Sequence, residues 1–170
     1  MRSTIVLTVS GFLTFSQVAR AEDQAIAVGP WTVETSSQGD KFEGCIMSRS
    51  TGDLDVSFVR DLDGLTLLLG SSKWKLTRGK AYPVTVAAGS WSVETQASAE
   101  KKGVAIALTD QSLNDGIRRA NVLEVVGEGA TLRVPLEGSA AALSRLETCY
   151  AKNSRQNSET NPFVAPNRKP

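Results

Sequence analysis

Two cysteines, a group of aspartates, three tryptophans and a complete lack of histidine set what chemistry the chain can perform. Without histidine there is no Ser-His-Asp or Cys-His catalysis, and no metal site that uses imidazole. Cys45 and Cys149 cannot close a zinc site without carboxylates. In an oxidising compartment such an isolated pair reads as one disulfide, and in a cytosolic protein as two buried thiols. Asp53, Asp55, Asp61 and Asp63 form the densest carboxylate group. Asp61-Leu62-Asp63-Gly64 has half the spacing of a calcium loop, but Leu65 to Gly70 provides no closing acid. Turn chemistry accounts for these aspartates better, so neither a metal nor a cofactor is expected.

Other candidate groups are weaker. Glycoside hydrolysis needs two acids facing each other across a cleft, and the sequence singles out no such pair. A serine–lysine dyad could be drawn from Ser71-Ser72 with Lys73 or Lys75. Lysines flanking a hairpin are ordinarily solvated, which is the simpler reading. Trp31, Trp74 and Trp91 fall on the apolar alternation at strand starts, so core packing explains them before a ligand groove does. Arg118-Arg119 closes a short helix and complements its dipole. The residues therefore point to a non-catalytic binding or accessory protein. The alternative is a carboxylate-dependent hydrolase or glycan-active protein of the envelope.

Most of the elements that must position these residues are strands. Alternation of apolar and polar residues marks Trp31 to Thr35, Lys41 to Arg49, Leu54 to Val59 and Leu65 to Leu69, then Tyr82 to Val86, Trp91 to Thr95 and Gly103 to Leu108. Both faces of Lys41 to Arg49 are apolar, which predicts an interior strand. Asp63-Gly64 predicts a tight hairpin between the third and fourth of these segments. Pro83 predicts an edge strand, or the first residues of one. The small residues Ala105 and Ala107 predict close packing against another layer. Asp110 to Ala120 breaks the rhythm and predicts a short helix near 111–119, weakened by Gly116. A last hairpin, Asn121 to Val126 with Thr131 to Leu136, leads to a helix capped by Ser139. Its stripe is Ala142, Leu143, Leu146, Cys149 and Tyr150. The expected fold is mainly β, an antiparallel β-sandwich or open barrel, with the C-terminal helix packed on one end. The pair WTVET at Trp31 and WSVET at Trp91 raises an internal repeat, but the sequences downstream do not align.

The chain is 170 residues long, enough for one domain. Arg2, the apolar stretch Ile5 to Phe15 and the small-x-small pattern Ala19-Arg20-Ala21 predict a signal peptide over 1–21, cut between Ala21 and Glu22. The apolar run is too short for a membrane anchor, so no transmembrane helix is expected in the mature chain. Residues 22–150 form the expected β-rich domain, and 151–170 an expected disordered polar tail. Removing the leader takes away Arg2 and Arg20 and lowers Lys plus Arg from 19 to 17, against 18 acids. That balance excludes a basic nucleic-acid-binding protein and gives no cause to expect an anionic membrane surface. No run of like charges stands out. The expected location is periplasmic or secreted, and the expected partner a protein or envelope component of unknown identity.

Trp31 to Thr35, followed by Gly44-Cys45-Ile46-Met47-Ser48-Arg49-Ser50, resembles the opening of the invasion-associated locus B family, secreted proteins of alphaproteobacteria. Members tend to begin W-x-V-x-C, with a second cysteine about ten residues on. Val104 to Leu108, Asp110, Leu113, Val134 to Gly138 and Ala142-Leu143 are similar to the family's C-terminal part. Leu54 to Val86 shows little that matches. The resemblance implies a periplasmic or exported all-β protein linked to host-cell entry, with no known catalytic mechanism, and it transfers no functional residue. Thr35 stands where the family's first cysteine would be. The family's local disulfide is then impossible here, and Cys149 becomes the alternative partner of Cys45.

Overall fold

The computed structural model describes residues 25–39 and 41–154. The expected leader, its Ala21–Glu22 cut and the tail from 155 onward lie outside the described residues. Ten strands carry the fold: β1 (Ile26–Val28), β2 (Trp31–Gln38), β3 (Lys41–Thr51), β4 (Leu54–Arg60), β5 (Leu65–Gly70), β6 (Ala81–Ala88), β7 (Trp91–Ala99), β8 (Gly103–Ala107), β9 (Val122–Val126) and β10 (Thr131–Pro135). Helix α1 (Gln111–Arg119) lies between β8 and β9, and helix α2 (Ser139–Ser154) ends the described chain. The strands form one unclosed antiparallel sheet in the order β1-β2-β3-β4-β5-β8-β7-β6-β9-β10.

The alternation read from the sequence sets the inner face. Trp31, Val33, Cys45, Met47, Val56, Phe58, Leu67, Leu69, Val86, Ile106, Leu123 and Val134 are all buried. Successive side chains of a strand point to opposite faces, so each strand gives every second residue to this core. Trp31 and Phe58 meet edge to face, with centroids 5.8 Å apart. Strand β3 is interior, paired on both sides. Pro83 pairs with β7 in a part of β6 that lies ahead of the β6–β9 ladder, which spans Thr85 to Ala88. No ladder needs the missing N–H there.

The join between the two arms of the sheet is narrow. β7 meets β8 only through Ser98–Ala105 and Ala99–Val104. One arm holds β1 to β5 with β8, and the other holds β7, β6, β9 and β10. At the far seam, side chains take over from a ladder. Arg49 Nη1 donates to the Pro135 carbonyl at 3.2 Å, and Trp31 Nε1 donates to the Glu137 carbonyl at 2.8 Å. The Arg49 guanidinium also stands over the Trp31 ring, 5.2 Å from its centroid.

The helices close one end. Asp110 Oδ1 accepts from Leu113 N at 2.7 Å and caps α1. Gly116 faces β6 and β7, where a Cβ would stand 2.9 Å from the Ala88 carbonyl oxygen and 3.0 Å from Trp91 Cε3. The glycine that weakens the helix is what lets α1 seat. Helix α2 lies against β2 and β3 through Ala142, Leu143 and Leu146, and continues past Tyr150 to Ser154.

Two local expectations are corrected. Ser139 is buried, and its hydroxyl donates to the Ile117 carbonyl at 3.2 Å instead of capping α2. The last carbonyls of a helix have no partner within it, and Ser139 meets one of them at the end of α1. Ala105 and Ala107 lie on the outer face, with Ala107 exposed, so they do not pack against another layer.

Candidate functional site

The structure joins Cys45 to Cys149, with Cα atoms 6.2 Å apart across a sequence separation of 104. Arg60 reinforces this corner. Its Nε donates to Glu147 Oε2 at 3.3 Å, and its guanidinium lies 4.5 Å from the Tyr150 ring centroid. Tyr150 in turn meets Phe42 at 6.0 Å. Helix α2 is thus fixed to β3 and β4 on the covered side of the fold.

The opposite end of the sheet is open. A cavity of about 570 Å³ is walled there by Trp74, Tyr82, Val84, Val104, Val125 and Leu132. Most of these side chains extend the inward alternation of β6, β8, β9 and β10, so the floor of the cavity is the hydrophobic core. One wall comes from the irregular segment 71–80. It is held on the β7–β8 hairpin by main-chain bonds from Ser71 N to Lys102 O and from Gly79 N to Ala99 O. Ser71 is buried and its Oγ accepts from Lys73 N at 3.3 Å, fixing the turn that presents Trp74. Trp74 therefore belongs to a loop, not to a strand start. It is a cavity wall, whereas Trp31 is core and Trp91 lies under α1.

Docking 71–80 onto 100–102 gathers charge that the linear sequence separates. Lys73, Lys75, Arg78, Lys80, Lys101 and Lys102 come from these two segments, with Glu100 as their single acid. Arg78 pairs with Glu100 at 3.0 Å, Lys73 pairs with Asp53, and Lys80 lies over the Tyr82 ring at 4.9 Å. Lys102 Nζ donates to the Ser72 carbonyl at 2.8 Å. Glu128, on the β9–β10 turn, also lines the cavity.

The aspartates serve local structure. Asp61 Oδ1 accepts from Asp63 N at 2.9 Å and from Gly64 N at 3.1 Å, closing the β4–β5 turn. Asp55 accepts from Ser50 Oγ at 2.7 Å. Among the described residues no group of three or more Asp, Glu, Cys or His could hold a metal ion. Of the serine–lysine candidates, Ser71 Oγ engages the main chain and Lys73 engages Asp53. Among the described residues no helix is long and apolar enough to cross a membrane.

No protein-family model matches the chain, and no curated protein matches it. A solved structure does. Invasion-associated protein B from Bartonella henselae superposes with a TM-score of 0.55 at 18% identity, over 76% of this chain and 98% of that one. The chain shares that protein's fold. The resemblance noted in the β2–β3 residues therefore has a counterpart in three dimensions. Thr35 and Cys45 are direct cross-strand partners, so the position where that family's first cysteine would stand faces Cys45 across the ladder. Thr35 Oγ1 is buried there without a hydrogen-bond partner.

Proposed function

We propose that the protein is a non-catalytic binding or accessory protein of the bacterial periplasm or the secreted fraction, and that it engages its partner through the open end of the sheet. The observation that carries this reading is the apolar cavity walled by Trp74 and Tyr82 beside a lysine-rich loop pair. Large concave apolar sites with a few polar groups at the rim are where binding sites form. The other end is occupied by α1, α2 and the disulfide. The Cys45–Cys149 bond supports an oxidising compartment. The shared fold with an invasion-associated protein supports a role in host-cell interaction or at the envelope.

Photocross-linking in the envelope fraction tests this reading. The cross-linking residue replaces Gly129 at the mouth of the cavity, or Ser92 on the outer face as a control. A discrete adduct from position 129 that is missing from position 92 is expected. Equal labelling from both positions would overturn the open end as the binding end.

A further inference from the structure

From the walls and rim of the open-end cavity we infer its ligand class: one monoacyl anion, its aliphatic chain in the cavity and its acidic head on the Lys75–Lys101 side. The inference rests on the binding end proposed above and specifies what that end takes. The walls are Trp74, Tyr82, Val84, Val104, Val125 and Leu132, continuous with the core. A sugar or nucleotide entering this space would lose water from hydroxyls and amides with few groups to receive them. An aliphatic chain loses nothing of that kind and gains by leaving water. The volume, about 570 Å³, lies within the range of small-molecule sites.

The charge around the mouth fixes the sign of the head. Lys73 and Arg78 already meet Asp53 and Glu100, Lys80 covers Tyr82, and Lys102 is turned to the Ser72 carbonyl. Lys75 lines the cavity and is exposed, and Lys101 adjoins it through the bond from Leu76 N to its carbonyl. Glu128 lines the cavity too, and repels an anion from its part of the rim. An acidic head therefore settles toward Lys75 and Lys101.

The test uses the full chain, stripped of bound lipid by denaturation and refolding, and titrated with dodecanoate below its micelle concentration. Calorimetry should show saturable binding at one site, with a change in tryptophan fluorescence. Trp31 and Trp91 lie away from the cavity, so Trp74→Phe should abolish the fluorescence change. Gly129 lines the mouth with open space around the position of a Cβ. Gly129→Trp should therefore block uptake without shifting the melting curve. Reversing two exposed charges, in Lys75→Glu/Lys101→Glu, should weaken dodecanoate about tenfold. Dodecyltrimethylammonium, with the same tail and the opposite charge, should bind at least as weakly as dodecanoate binds that variant. Equal binding of the two amphiphiles would overturn the anionic head. Uptake by Gly129→Trp at unchanged affinity would overturn the cavity. Binding to anionic phospholipid vesicles with none to free dodecanoate would replace the single-ligand site with a membrane surface. Failure with dodecanoate while the position-129 cross-link persists would remove the ligand class alone, and loss of both would remove the binding end as well.

Discussion

Breaking the disulfide by Cys149→Ser should destabilise the protein clearly while leaving its strands in place. The bond closes a loop with a sequence separation of 104. In the chain-entropy account, a closed loop of that size restricts the unfolded ensemble by about 4.7 kcal/mol. Measured values for disulfides fall below that ceiling, so a loss of about 2–4 kcal/mol is expected. Other contacts keep α2 docked. Leu143 and Leu146 are buried, each worth roughly 1.5–3 kcal/mol. The Arg60–Glu147 pair adds less than about 1 kcal/mol at its partial exposure. Urea unfolding followed by circular dichroism measures the effect. The midpoint should fall and the m-value should rise, because the uncrosslinked unfolded chain exposes more surface. In a thermal scan the midpoint should drop by roughly 10 °C. Cys45→Ala/Cys149→Ala should behave like the reduced wild type, since both act mainly on the unfolded state. An unchanged urea midpoint would refute the tether as a source of stability. Loss of the β signal in water would show that the bond is required to form the sheet, not only to stabilise it.

Two further substitutions probe tight or vacant positions. Gly116→Ala should destabilise by about 1–3 kcal/mol, although alanine favours a helix by about 1 kcal/mol. The added methyl meets the Ala88 carbonyl oxygen and the Trp91 ring, and a raised urea midpoint would contradict that packing. Thr35→Cys places a third thiol directly across the ladder from Cys45, within the roughly 4.5–5.5 Å Cα spacing of antiparallel partners that a disulfide can span. Non-reducing peptide mapping should then find the introduced thiol bonded to Cys45 in part of the population, with Cys149 freed. Retention of the Cys45–Cys149 bond alone would show that the two strands do not present their side chains to each other.

The likeness of WTVET and WSVET gains a local explanation from the fold. Both Trp31 and Trp91 follow two-residue hairpin turns, Gly29-Pro30 and Gly89-Ser90, whose glycines have φ of 59° and 63°. A turn that needs a left-handed residue selects glycine in both places. Each strand then opens with a large side chain on the inner face. This shared turn chemistry places the two tryptophans alike at the start of their strands.

By itself the sequence determined what depends on neighbours along the chain. Alternation located β2, β4, β5 and β8, Asp63-Gly64 placed a hairpin, and the 3.6-residue stripe through Cys149 and Tyr150 marked the last helix. These signals were legible because periodicity and turn residues act over a few positions. The tertiary structure decided what depends on strand order and register. The order β5-β8-β7-β6 folds segment 71–80 back onto 100–102 and gathers six cations, of which Lys73 and Lys75 line the cavity, although β6 and β7 separate the two segments in sequence. Register alone sets Thr35 opposite Cys45, and the approach of the two arms alone brings Arg49 to Pro135. Ser139 changed role for the same reason: its hydroxyl meets the end of α1 before it can serve its own helix. Such pairings arise from the packing of distant segments into one core, and no local pattern encodes them.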